Sequence, residues 1–231
     1  MDAIKKTLML AMALLLGAIT AHAAGNTNVV VMLGDSTTLC TRNKSGAKLT
    51  ELVQAYLAQN KLQAVVVNSG VGSDTARGGY GRLQKSVFAH NPDVVTISFG
   101  LNDTGLHTPE EYREWLEKII LAIREKSRAR IMLVTSTPFK NTHFWGQKFA
   151  DKGGLDEYMD ANICEQTRNL AKKYNLPICD LHKYFKDKFK NDPALVDTLI
   201  MPDSVHVTDA GNRVAAECLA PAIAEILVEN K

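Results

Sequence analysis

Val29-Val30-Val31-Met32-Leu33-Gly34-Asp35-Ser36 is the stretch on which the reading of this chain turns. Five apolar residues in succession, three of them valine, leave no polar face for solvent. They predict a strand buried on both sides of a parallel sheet. Gly34 permits a sharp exit from the sheet, which places Ser36 at the carboxyl end of the first strand. Open α/β sheets keep their ligand crevice at that end. Taken alone, Asp35-Ser36 is equally an ordinary turn that caps the next helix. Residues far downstream decide between the two.

Residues 1–23 stand apart from the domain. Lys5 and Lys6 form a basic start, residues 8–19 an apolar run, and Ala21-His22-Ala23 fits the small-x-small pattern of a cleaved signal peptide. The run is short for a bilayer span, and polar residues 25–28 follow it, so the reading is export rather than a retained anchor. Removing Asp2, Lys5 and Lys6 with this leader leaves 25 basic and 24 acidic residues, a net charge of +1. That balance argues against nucleic-acid binding and against stable membrane association once the signal is cleaved. Residues 24–231 suit one domain with a sizeable core, in a chain that is 45% hydrophobic. Four cysteines, Cys40, Cys164, Cys179 and Cys218, allow three connectivities if all pair. Their wide spacing excludes a CxxC motif, and buried free thiols are an equal reading.

Further apolar runs predict strands at residues 64–67, 94–99, 131–134 and 176–181. Helical periodicity marks residues 49–59, 82–90, 155–174 and the stretch after Thr208, with a polar loop over residues 37–48. The clearest helix start is Thr108-Pro109-Glu110-Glu111, a capping box with proline at the first helical position. Tyr112, Trp115, Leu116, Ile119, Ile120 and Ile123 then recur at helical spacing and are expected in the core. Strands alternating with helices imply parallel pairing through right-handed crossovers. The expected architecture is a single three-layer α/β/α domain of about five parallel strands, flavodoxin-like in order.

Four polar segments then stand out: Gly34-Asp35-Ser36, Gly72-Ser73-Asp74, Gly100-Leu101-Asn102-Asp103, and Asp203-Ser204-Val205-His206. The first three leave strand ends that share one edge of a parallel sheet. The fourth precedes a helix start, a position from which it can reach that edge. Acyl transfer needs a nucleophile, a base, a group that orients the base, and donors for the oxyanion. Ser36 supplies the first and His206 the second, with Asp203 close enough in sequence to turn back onto the imidazole. Asn102 offers an uncharged amide donor, and the Ser36, Gly72 and Ser73 backbone amides complete the candidate oxyanion hole.

In these segments, in this order, the mature chain resembles the SGNH (GDSL-type) hydrolases. The resemblance implies the flavodoxin-like SGNH fold and ester hydrolysis through an acyl-serine, with no metal or cofactor. It departs at Thr37, where the family name expects leucine, and at Ser73, where glycine usually precedes Asp-Thr. The second departure leaves Gly72 and Ser73 as alternative oxyanion donors. There is no G-x-S-x-G elbow, and His90, His107, His143 and His182 fit no metal-ligand spacing.

The expected substrate is a small-molecule or polysaccharide ester, with a short acyl group such as acetyl on a carbohydrate. Asp35, His143 and Trp145 are expected to touch it. The last two lie in a long loop, residues 139–154, that leaves strand four beside the site and is expected to expose its aromatic rings. The same rings are equally suited to anchoring the loop on the core. A lysophospholipase or thioesterase of the same mechanism, or a carbohydrate-binding relative without turnover, are the rival readings.

Overall fold

A computed structural model describes residues 27–229; the expected signal peptide lies outside them. Five strands form one parallel sheet: β1 (Asn28–Gly34), β2 (Ala64–Gly70), β3 (Val94–Ser98), β4 (Arg130–Val134) and β5 (Ile178–Cys179). Their order is β2-β1-β3-β4-β5, the flavodoxin-like order, whose direction of winding reverses between β1 and β3. Gly34 pairs with Gly70 on one side and Ser98 on the other, so three loops leave the sheet level with one another.

The apolar run of β1 serves two cores. Val31 and Leu33 join α6 (Pro109–Lys126) and the helical stretch α7 (Leu155–Met159), a π turn (Asp160–Cys164) and α8 (Glu165–Tyr174) on one face. Val30 and Met32 join α2 (Leu49–Gln59), α9 (Leu181–Asn191) and α11 (Asp209–Val228) on the other. Burying each such side chain contributes about 1.5–3 kcal/mol, which is why β1 carries no polar face. The capping box on α6 forms in both directions, Glu111 N to Thr108 Oγ1 at 3.2 Å and Thr108 N to Glu111 Oε2 at 2.9 Å.

Several boundaries differ from the sequence reading. β2 is an edge strand with Val65 half exposed, not a buried one, and runs on through Asn68, Ser69 and Gly70. Pairing with β1 overrides the polar character of those three residues. Residues 37–48 do not begin as loop, because Ser36–Leu39 form the short helix α1. Residues 82–90 are not one helix: α4 (Leu83–Ser86) and a 3₁₀ turn (Phe88–His90) divide the segment, and a separate helix, α3 (Ala76–Gly81), precedes it. Three glycines in α3 weaken it, since glycine costs about 1 kcal/mol in a helix. Two further short helices, α5 (Asp103–Leu106) and α10 (Leu195–Leu199), follow β3 and precede the last loop.

Candidate active site

Asp35 ends the turn after β1 with its backbone extended and its carboxylate folded over the start of α1. Oδ1 accepts from Thr37 N and Thr37 Oγ1, both at 2.8 Å. This N-cap presents Ser36 at the first position of α1, beside the β1/β3 switch point. Ser36 Oγ lies 3.0 Å from His206 Nε2, and His206 Nδ1 lies 2.8 Å from Asp203 Oδ2. With Nδ1–H donating to the carboxylate, Nε2 is left free to accept the serine proton.

Asp203 reaches its histidine by a tight turn. Its Oδ1 accepts from Val205 N at 3.1 Å and His206 N at 3.0 Å. Ser204 takes a left-handed φ of 69° to close the turn. Partial burial alone would raise the Asp203 carboxyl; the two amides and the imidazole outweigh it and hold the group below the usual carboxylate range. The Arg42 guanidinium also pairs with Asp203 Oδ2. The turn is braced from outside: Lys140 N donates to Ser204 O at 2.8 Å, and Thr142 and Ser204 hydroxyls meet at 2.7 Å. Thr208 then caps α11, accepting from Gly211 N at 3.1 Å.

In the loop after β3, Asn102 Nδ2 donates one hydrogen to Asp74 O at 2.9 Å, which orients the amide and leaves its second hydrogen free. The Gly72 and Ser73 amides, in the loop after β2, have no acceptor among the described residues. Ser73 adopts φ 60°. Two carboxylates tie these loops together, Asp74 part-buried and Asp103 fully buried. Arg82 donates to Asp74 Oδ2 at 2.7 Å and to the carbonyls of Ser69 and Gly34, both at 2.9 Å. Asp103, fully buried, accepts from Ala76 N and Gly100 N, both at 3.1 Å. Gly70 has no room for a side chain, since a Cβ there would meet Leu39 N at 2.3 Å and Asp35 O at 2.8 Å.

The structure therefore brings Ser36, His206 and Asp203 into one hydrogen-bonded line and sets Asn102 against the Gly72-Ser73 loop. It does not bring Asp35 or His143 to a substrate. Asp35 is buried beneath α1, and burial pushes its carboxyl up to about 6. His143, expected to be exposed, is buried among Phe139, Phe144 and Trp145, with ring centroids 4.3–5.2 Å away. Its Nδ1 accepts from Trp145 N at 3.3 Å. Trp145 is half-buried, its indole lying on Gly105, where a Cβ would stand 2.7 Å from the ring. The exposed ring of this loop is Phe144, 78% accessible. Phe144 is the one ring of the loop that is exposed as the sequence reading expected, whereas Arg42, Arg82 and Asp103 were missed. Only Asp103 had a local signal, its place beside Asn102 at a strand end.

An open parallel sheet with a serine, histidine and aspartate in line at its switch point is the arrangement of a class of α/β/α hydrolases. This chain belongs to the GDSL-like lipase/acylhydrolase family, whose model matches residues 32–214. It is 26% identical over 210 residues to the uncharacterized lipoprotein YqeF of Bacillus subtilis (strain 168), covering 81% of this chain and 86% of that one. It is 24% identical over 206 residues to an acetylxylan esterase of Geobacillus stearothermophilus, covering 83% and 92%. The crystal structure of a lipase/acylhydrolase from Enterococcus faecalis superposes with a TM-score of 0.69 at 24% identity, covering 86% and 96%.

Proposed function

We propose that this hydrolase is an exported serine esterase that removes short acyl groups, acetyl foremost, from carbohydrates through an acyl-serine. The observation that carries the chemistry is the line from Ser36 Oγ through His206 to Asp203. His206 Nε2 takes the serine proton as Oγ attacks the ester carbonyl, and Asp203 stabilises the imidazolium that results. The carbonyl oxygen, now negative, receives hydrogen bonds from the Ser36 amide, a Gly72 or Ser73 amide, and Asn102 Nδ2. His206 then protonates the leaving alcohol. In the second half-reaction it deprotonates water, which attacks the acyl-serine and releases the carboxylic acid.

The similarity to an acetylxylan esterase supports the substrate class, as does the exposed ring of Phe144 in the loop that braces the His206 turn through Lys140 and Thr142. Export is supported by residues 1–23 and by the similarity to a lipoprotein. A fluorophosphonate is expected to label Ser36. Ser36→Ala should fold, lose the label, and lose about 10⁴-fold or more in kcat. Labelling at another residue would sink the assignment. Comparing kcat/KM for p-nitrophenyl acetate, butyrate, octanoate and palmitate, with acetate release from acetylated xylan, tests the acyl group. Acetate should lead. A preference for octanoate would favour a lysophospholipase or thioesterase, for which exposed Val71, Leu106 and Phe144 supply apolar surface.

A further inference from the structure

Asp203 holds more than its histidine. Oδ1 takes the two amides of the turn, whereas Oδ2 accepts from His206 Nδ1 at 2.8 Å and from the Arg42 guanidinium as well. Imidazole and guanidinium thus share one carboxylate oxygen. A permanent positive charge stands beside the group that becomes an imidazolium during catalysis. Arg42 lies in the loop between α1 and α2, and that loop is fastened to the residues that follow His206. Asn43 Nδ2 donates to Val207 O and to Asp209 Oδ1, both at 3.1 Å. Lys44 N donates to the same Asp209 oxygen at 3.3 Å, and Asn212 Nδ2 donates to Ala47 O at 2.9 Å. These bonds set where the arginine stands, although its side chain is 57% exposed. We propose that Arg42 is a positioning residue that acts on the catalytic base through Asp203 and extends the enzyme's activity toward acidic pH.

The inference rests on the reading of Ser36, His206 and Asp203 as a catalytic triad, and its sign follows from charge. Asp203 stabilises the imidazolium, and only neutral His206 can take the serine proton. A cation on the same carboxylate oxygen withdraws part of that stabilisation, because a nearby like charge disfavours the protonated imidazole. With the cation removed, protonation competes with catalysis up to a higher pH, so the acidic limb of the rate profile moves upward. Three of the four hydrogen bonds to Asp203 do not involve Arg42, so the turn keeps its own supports when the arginine is replaced.

Other charged groups surround the imidazole. Asp35 at the start of α1 and His143 in the loop after β4 are within its electrostatic reach. Asp209, at the start of α11, is engaged by Asn43 and Lys44 N. Lys140, beside the turn, pairs with Asp197 at 2.7 Å. All of these are the same in every Arg42 variant, so a difference between variants belongs to position 42.

The test is the pH dependence, from 4.5 to 9, of Ser36 labelling by a fluorophosphonate and of kcat/KM for p-nitrophenyl acetate. Wild type, Arg42→Lys and Arg42→Gln are compared, each against its own plateau. In Arg42→Gln the midpoint of the acidic limb should rise by roughly half a pH unit, the modest size expected of a partly exposed pair. Arg42→Lys, which keeps the charge, should hold the limb at the wild-type position. Raising the salt to 1 M should move the wild-type limb toward that of Arg42→Gln, since screening weakens an exposed charge. A limb that stays in place in Arg42→Gln, moves to lower pH, or shifts equally in both variants would overturn the inference while leaving the triad standing. Failure of the wild-type protein to label at Ser36 would overturn the triad reading itself.

Discussion

Asp35 and Ser36 adjoin in sequence and do different work. The carboxylate is buried and spends its acceptor capacity on Thr37, so its task is to start α1 and aim the next side chain. Asparagine caps as well as aspartate, and alanine costs about 1 kcal/mol. Asp35→Asn should therefore keep Tm and kcat within a few-fold, whereas Asp35→Ala lowers both. A KM rise in the asparagine variant at unchanged Tm would return Asp35 to the substrate. Asn102 is the converse case, one hydrogen committed to Asp74 O and one free. Losing a preorganised oxyanion donor lowers kcat by roughly 10²–10³-fold, and steady-state kinetics of Asn102→Ala should show that loss with KM little changed. An effect confined to KM would make Asn102 a binding residue.

At the scale of elements, residues 139–154 do more than connect β4 to α7. Lys140 and Thr142 hold the turn of Asp203 and His206, while Trp145 rests on Gly105 in α5, the helix that follows Asn102. The loop thereby spans both sides of the site. Its buried rings, Phe139 and His143, anchor it; burial also lowers the His143 pKa below its usual value. Phe144 is left facing solvent. Phe144→Ala should not change Tm, because little area is removed from water in the folded state. It should raise KM for acetylated xylan or an aryl ester several-fold at constant kcat. Unchanged kinetics across both substrates would confine the loop to a scaffolding role.

The whole molecule carries opposed electrostatic debts. Burial raises Asp35 to about 6 and Asp103 to about 7, against an ordinary 3.8. Between pH 4 and 7 the folded state therefore holds protons that the unfolded chain has released, and stability falls as pH rises through that window. Asp156, Asp180 and Asp203 are each lowered although burial opposes it, through bonds to His182, Arg168 and the His206 turn respectively. Their contribution is present above pH 4 and is lost as pH falls through the lowered values. His143 also favours higher pH, losing its contribution as pH drops below 6.5. Of the two raised carboxyls, Asp103 carries the larger rise. Melting curves from pH 5 to 8 should show Tm declining, and Asp103→Asn should flatten that decline even though it lowers Tm at pH 5. An identical slope in the variant would remove Asp103 as its source.

The strands and their parallel order were legible because a doubly buried strand writes its environment into consecutive residues, as Val30 to Leu33 do. The capping box on α6 and the Thr208 cap were legible for a related reason: their partners lie within three residues. Ser36, Asn102, Asp203 and His206 could be named from their places at strand and helix ends, though Ser36 and His206 meet across 170 residues. What tertiary structure decided is where burial and pairing come from distant segments. β2 lengthens because β1 lies beside it, and Asp35 turns inward because α1 forms over it. His143 is covered and Phe144 uncovered by how one loop settles. Arg82 joins β1 to β2 through carbonyls that every residue possesses. A local pattern records a residue's periodicity and near neighbours; exposure and partners belong to the packed chain.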